Sequence, residues 1–365
     1  MTKTRIAIVF GGESSEHSVS CVTALGVLGA IDQNKYEVVP IGITKTGKFV
    51  AAEINQNWKL ADSPEVPDGD EIIWPLGSVS GNRTLRINKN GQVSNLVEVD
   101  VVFPVLHGPN GEDGSIQSLL QLCHIPYVGN GILASAAAMD KVYAKGLFRN
   151  SGIKVAADLV VSRELWERQN HEEVLDQVED RIPYPQFVKP SRSGSSVGVS
   201  LVRTREELSV AIDLALALDR NALIEERIVG REVECSVLED PTSADGLRVS
   251  LAGEILVSGR EFYDYEAKYL DGGAELVVPA KLTDAELSEM HQLAKKAFRA
   301  VGCSALARTD FFLTDSGFVL TEINTMPGFT PISMYPKLWQ VSGISYPELI
   351  ERLINLAIAA GTEPR

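Results

Sequence analysis

The stretch "RTDFFLTDSGFVLTEINTMPG", Arg308 to Gly328, places two apolar, β-rich runs on either side of "TDSG", a turn-forming cluster. That pattern predicts a β-hairpin. With its turn centred near Ser316, Asp310 and Glu322 fall almost directly across from one another, and Asn324, two residues beyond Glu322, shares their face. Two carboxylates and an amide oxygen around one point of a half-apolar sheet repel one another without a cation. Hard oxygen donors of this kind suit Mg2+, with substrate phosphates completing the shell. A solvated face with scattered acids is the bland alternative, but the "FF" and "FVL" runs favour a packed hairpin.

Around this segment lie 365 residues, longer than single cores usually grow, so two or three domains are expected. A composition 44% hydrophobic and 23% charged is that of a globular protein. The net charge of −15 and the lack of a Lys/Arg cluster argue against nucleic acid or an anionic membrane surface. A small anion such as a nucleotide needs only a few local cations. Cys21, Cys123, Cys235 and Cys303 are far apart without C-x-x-C pairing, which points to buried free thiols in a reducing compartment. "RIAIVF" is too short for a signal-peptide core and no apolar run approaches a membrane span, so the cytoplasm is expected.

The first third alternates strand and helix: "RIAIVF", a Gly11-Gly12 turn, a helical run, "EVVPIGI", "VDVVFPVLHG" and "SIQSLLQLCHI". This α/β order implies a parallel sheet covered by helices, with ligands at the carboxyl ends of its strands. Residues 45 to 95 look like an elaboration of that unit. We place boundaries at 1–125, 126–230 and 231–365. The second unit includes a single helix over "ASAAAMDKVYAKGLF", and a T-x-x-E capping box at Thr204 and Glu207. The third, mixed α+β, starts with the strand "EVECSVLED", has a second capping box at Thr283 and Glu286, and closes with the helix "YPELIERLINLAIAA".

Four more stretches could carry chemistry. In "FVKPSRSGSSVGVS" a strand ends at Lys189 and enters a Ser/Gly loop whose backbone N–H groups and hydroxyls could approach phosphate. P-loop spacing is absent, but Lys189 and Lys141 of "AMDK" tilt it towards phosphate over a flexible linker. "ALIEERIVGREVE" follows a strand with acids at 225, 226, 232 and 234, suited either to adenine and ribose or to a charged surface. "VFGGESSEHSVS" lacks G-x-G-x-x-G, which argues against a dinucleotide. Its Glu16 and His17 open a helix, as a favourable first-turn acid and an exposed histidine, or as site residues. His107 in "LHGPNGEDG" ends a strand at a site-like position.

In this order, "GGESSEHSVS", "LHGPNGEDGSIQ", "YVGNGILASAAAMDK", "VKPSRSGSSVGVS", "LIEERIVGRE", "FYDYEAKY", "RTDFFL" and "EINTMPGFTPIS" resemble the D-alanine–D-alanine ligases of the ATP-grasp superfamily over nearly the whole chain. The resemblance implies an ATP-grasp fold: a Rossmann-like N-terminal domain, a small central domain and a C-terminal α+β domain. It implies Lys141 and Lys189 on the ATP phosphates, with Ser196 and Lys268 also among the ATP-binding residues. Glu225 and the backbone near Ile228 would meet the adenine, and Glu232 the ribose. Two Mg2+ ions, with Mn2+ as a substitute, would sit on Asp310, Glu322 and Asn324. The first D-alanine would meet Glu16 and His107, and the second Lys268 and Ser333. Arg308 and the Gly328 N–H would face the oxyanion. "EFYDYEAKYL", Glu261 to Leu270, would be a water-excluding lid whose Tyr269 joins Ser195 and Glu16 in a hydrogen-bonded chain. The resemblance also implies a homodimer. A D-lactate or D-serine ligase of the same fold, another ATP-grasp carboxylate–amine ligase and a non-catalytic nucleotide binder are the rivals. The intact Lys268-Tyr269 pair favours D-alanine.

Overall fold

The computed structural model describes residues 3–77, 83–257, 274–363 and 365. The expected lid, with Phe262, Tyr263, Lys268 and Tyr269, lies outside them.

Strand β1 (Thr4–Gly11) is flanked in parallel by β2 (Tyr36–Ile43) and β7 (Val101–Pro104). Its Ile6-Ala7-Ile8-Val9-Phe10 run is wholly buried, which a parallel strand covered on both faces requires. Helix α1 (His17–Ala30) covers one face and α2 (Ser115–Leu122) packs with the other face's core. The 45–95 region supplies β3 (Phe49–Ala51), β4 (Glu71–Ile73), β5 (Thr84–Lys89) and β6 (Gln92–Glu98). These extend the same sheet antiparallel, giving the order β6-β5-β4-β3-β2-β1-β7.

The helix expected over "ASAAAMDKVYAKGLF" is two helices, α3 (Ile132–Met139) and α4 (Lys141–Asn150). Asp140 between them is extended and caps α4, its carboxylate accepting from Val142 N at 3.0 Å. A buried hydroxyl, Ser191 Oγ, donates to the same oxygen, so the break is tied to a distant loop.

A four-stranded sheet follows, ordered β10-β9-β11-β8 from β8 (Asp158–Ser162), β9 (Gln186–Pro190), β10 (Ser200–Val202) and β11 (Asn221–Glu226). Helices α5 (Arg163–Arg168), α6 (His171–Glu179) and α7 (Arg205–Leu218) back it around a core of its own. Thr204 caps α7 by accepting from Glu207 N at 3.3 Å, but the Glu207 carboxylate accepts from Arg203 N instead of closing the expected box.

The last sheet contains β12 (Arg231–Glu239), β13 (Leu247–Val249), β14 (Gly253–Val257), β15 (Ala274–Val277), β16 (Leu306–Thr314) and β17 (Gly317–Asn324). Helix α8 (Asp284–Val301) lies on it and starts at a complete capping box, Thr283 with Glu286. Helices α9 (Met334–Val341) and α10 (Tyr346–Ala360) close the chain. Tyr335, Trp339, Leu349 and Leu353 join the first domain's core with Phe10 and Phe103.

Candidate active site

The hairpin of β16 and β17 turns at Asp315-Ser316, with Thr314 paired to Gly317 and Phe311 to Leu320. Continued regularly, that ladder would set Thr321 across from Asp310 and rotate Glu322 into the core. A β-bulge between Asp310 and Phe311 prevents this, and Asp310 pairs with Glu322. Thr321 Oγ1 fixes the irregularity by donating to the Asp310 carbonyl at 2.6 Å. Leu320 and Ile323 therefore stay in the core, while Asp310, Glu322 and Asn324 share the other face.

Arg308 sits within this acidic group. Its Nε and Nη2 each donate to Asp310 at 2.7 Å, and Nε lies 3.0 Å from Glu234. Burial opposes its charge, but Asp310, Glu234 and Glu322 together hold the guanidinium well above its ordinary value. Asn324 Nδ2 donates to Asp310 at 3.0 Å. Among the described residues no three His, Cys, Asp or Glu side chains are arranged to hold a metal ion, so a site on Asp310 and Glu322 would take the Asn324 amide as its third donor.

Glu112, in the His107 loop, adds a further acid. Its Oε2 accepts from Gly108 N at 2.7 Å. Burial, then Glu16 and Glu322, push its carboxyl up to about 8.

The glycine turn after β1 brings Glu16 to the same cleft. Gly11 and Gly12 have φ of +89° and +107°, and a Cβ on Gly11 would lie 2.3 Å from the Ile43 carbonyl. His17 is not exposed. It is buried, contacting Gly12 O at 2.7 Å through Nδ1 and accepting from Val66 N at 2.9 Å, which ties the 45–95 region to the turn. Glu16 is buried at the start of α1, and Ser195 Oγ donates to it at 2.5 Å across 179 residues of chain. Ser195 and Ser196 both have positive φ, +49° and +59°, an uncommon backbone for residues with a Cβ. His107 is also buried and held below its ordinary value by that burial. Its Nε2 lies 3.3 Å from Thr23 Oγ1.

The lysines lie on the facing wall. Lys141 Nζ donates to Ser193 O at 2.6 Å, bridging α4 and the serine loop. Glu225 is buried at the end of β11, with Lys145 on one carboxylate oxygen and Lys189 on the other. Burial alone would raise its pKa, but the two ammonium groups outweigh it and hold the carboxyl at about 2.

One cleft of about 1330 Å3 gathers these groups. Glu16, His107, Lys141, Lys189, Ser195, Ser196, Glu225, Ile228, Glu232, Arg308, Glu322, Asn324, Gly328 and Ser333 all line it, with Asp310 behind Arg308. Ser333 begins α9, and its Oγ accepts from Thr330 N at 3.1 Å. Sequence reasoning gave no site role to Lys145 or Glu112, and read Glu234 only as one acid of a segment suited to a nucleoside or to a charged surface; all three line the cleft as well. Lys145 lies one helical turn from Lys141, and Glu112 follows His107 in the same loop; that proximity was the available signal.

Comparison with known proteins places the chain. Residues 5–130 match the family profile "D-ala D-ala ligase N-terminus" and 147–355 match "D-ala D-ala ligase C-terminus". The D-alanine--D-alanine ligase of Pseudarthrobacter chlorophenolicus is 49% identical over 98% of this chain and 94% of its own. That of Mycolicibacterium smegmatis is 47% identical over 99% and 97%. Among solved structures, the VanG D-Ala:D-Ser ligase of Enterococcus faecalis superposes with a TM-score of 0.81 at 35% identity, covering 98% of this chain and 100% of that one. The D-alanine-D-alanine ligase of Coxiella burnetii gives 0.81 at 31%, covering 99% and 95%. With both halves matched in order and almost half of its residues shared along nearly its full length, this chain belongs to the D-alanine–D-alanine ligase family.

Proposed function

We propose that this protein joins two D-alanine molecules to D-alanyl-D-alanine, consuming one ATP and releasing ADP and phosphate, for cell-wall precursor synthesis. The carboxylate of the first D-alanine attacks the γ-phosphorus and ADP leaves. The amine of the second, once deprotonated, then attacks the acyl carbon and phosphate leaves. The observation that carries this reading is the meeting of Glu16, Ser195, Arg308 and the Lys189–Glu225 pair, from four distant segments, on one cleft.

Glu16 offers a buried carboxylate for the first substrate's ammonium, beside His107. Arg308 and the Gly328 N–H serve the oxyanion of the tetrahedral intermediate. Ser333 serves the carboxylate of the second D-alanine, with Lys268. Lys141, Lys189 and Ser196 serve the phosphates, and Glu225, Ile228 and Glu232 the nucleoside. Tyr269, outside the described residues, is assigned to the chain begun by Ser195 and Glu16.

The donor set suits a divalent cation. Glu234, Asp310 and Glu322 all act on the Arg308 guanidinium, so acidic oxygens are concentrated there. Asp310, Glu322 and Asn324, its amide rotated to present oxygen, would hold Mg2+ or Mn2+, two ions in all, which would neutralise the transferred phosphoryl group. We place the enzyme in the cytoplasm, where ATP is available, as a homodimer.

The test is product analysis by mass spectrometry with ATP, Mg2+ and D-alanine alone, or with D-lactate or D-serine added. D-alanyl-D-alanine formed with stoichiometric phosphate supports the reading. A depsipeptide or a D-alanyl-D-serine product in preference to it moves the protein to the rival specificity, and phosphate release indifferent to D-alanine removes it from this activity.

A further inference from the structure

Helix α4 belongs to two bodies at once. Its Ala144 and Phe148 are buried in the core beneath the six-stranded sheet, with Val233, Phe311 and Leu320, and it packs against α8 and β17. Its charged side chains reach the other way, into the four-stranded sheet. Lys145 Nζ meets Glu225 of β11 and lies 3.4 Å from Asp158 of β8, and Arg149, one turn on, also meets Asp158. Lys189 of β9 holds the second oxygen of Glu225.

Lys145 is only 2% exposed. Burying an ammonium group is costly unless its partners are well placed, and a packed apolar residue often stabilises as much as a buried ion pair. A lysine here is thus a poor choice for stability alone. The cluster also holds three cations, Lys145, Arg149 and Lys189, against two carboxylates. Of these described groups Lys145, Lys189 and Glu225 line the cleft, two cations against one carboxylate, as a polyanionic ligand requires.

We propose that Lys145 is a positioning residue for nucleotide: by pinning Glu225 it fixes the carboxylate that holds Lys189 in place, and it does so from a helix packed on the opposite lobe. Nucleotide affinity thereby depends on how the two sheets are held together. The inference rests on the reading that Lys189 and the β11–β12 segment bind ATP.

The test compares Lys145→Met, Lys145→Arg, Glu225→Gln and Lys189→Met with the parent. It measures KM for ATP, kcat, ADP binding by calorimetry and thermal stability. Lys145→Met should raise KM for ATP and weaken ADP binding by about tenfold to a hundredfold, the penalty of misplacing a binding group by an ångström or so. At saturating ATP, kcat should stay within a few-fold. Lys145→Arg should recover most of the affinity, and Lys145→Met should add little to Glu225→Gln. A purely structural lysine would lower thermal stability and leave KM for ATP unmoved. A folded Lys145→Met with parental ADP affinity overturns the inference. If that variant does not fold, Glu225→Gln decides: parental ADP affinity there overturns it equally. Lys189→Met with parental ADP affinity removes the nucleotide-site reading itself, whereas loss in Lys189→Met alone removes only the role of Lys145.

Discussion

Replacing Arg308 with Met tests the electrostatics of the site most severely. The guanidinium makes two 2.7 Å bonds to Asp310 and lies 3.0 Å from Glu234, and both acids are buried. Its loss takes away from Glu234, Asp310 and Glu322 the guanidinium on which all three act. Breaking a buried pair from one side costs about 3–5 kcal/mol, because the remaining charge stays desolvated. Unfolding as one cooperative unit of 365 residues, the protein would lose roughly 4–7 °C of Tm. A divalent cation bound at Asp310 and Glu322 would restore much of the missing charge. Millimolar Mg2+ should therefore raise the Tm of the variant more than that of the parent, as followed by scanning calorimetry. A loss below about 1 kcal/mol, the scale of a solvent-screened pair, would refute the buried-network reasoning. Equal Mg2+ stabilisation of both proteins would refute the charge-replacement reasoning.

Arg308→Lys, which keeps charge but not the two-pronged geometry, should lower kcat by about a hundredfold in steady-state assays, and a change confined to KM would assign Arg308 to binding instead. Thr321→Val removes the bond that fixes the bulge; stability should fall by about 1 kcal/mol and the Mg2+ concentration for half-maximal activity should rise. Parental Mg2+ dependence would detach the bulge from the metal site. Folded Glu112 keeps its proton up to about pH 8, whereas an unfolded one loses it near the ordinary 4.5, so between those values the folded state binds more protons and stability falls as pH rises. In metal-free buffer, Glu112→Gln should gain Tm relative to the parent at pH 8 but not at pH 5, and an equal difference at both would contradict that linkage. Ser195→Ala should raise KM for the first D-alanine; parental kinetics would show that the Glu16 contact is idle.

Local pattern carried much of the architecture. The hairpin was legible because turn residues sit between two apolar runs, and β1 because a glycine pair follows five buried residues. The bulge was not, since Thr321 is an ordinary strand residue whose irregularity depends on a bond to the partner strand. The break at Asp140 was hidden by an alanine-rich run that reads as one helix, and the hydroxyl bonded to its carboxylate, on Ser191, is 51 residues away. The burial of His17 needs Val66, in a region with no motif. Lys145 needs Glu225, 80 residues on. Except at the bulge, whose partner is 11 residues away in the same hairpin, the deciding partner is distant in sequence.

The most direct measurement is anomalous diffraction from crystals grown with ADP and Mn2+. The expected result is manganese density within coordination distance of Asp310, Glu322 and Asn324, with the nucleotide phosphates reaching from Lys189 towards it. Well-ordered ADP with no manganese at these three residues, or adenine bound away from the β11–β12 segment, would contradict a metal-assisted ligase site built on this hairpin.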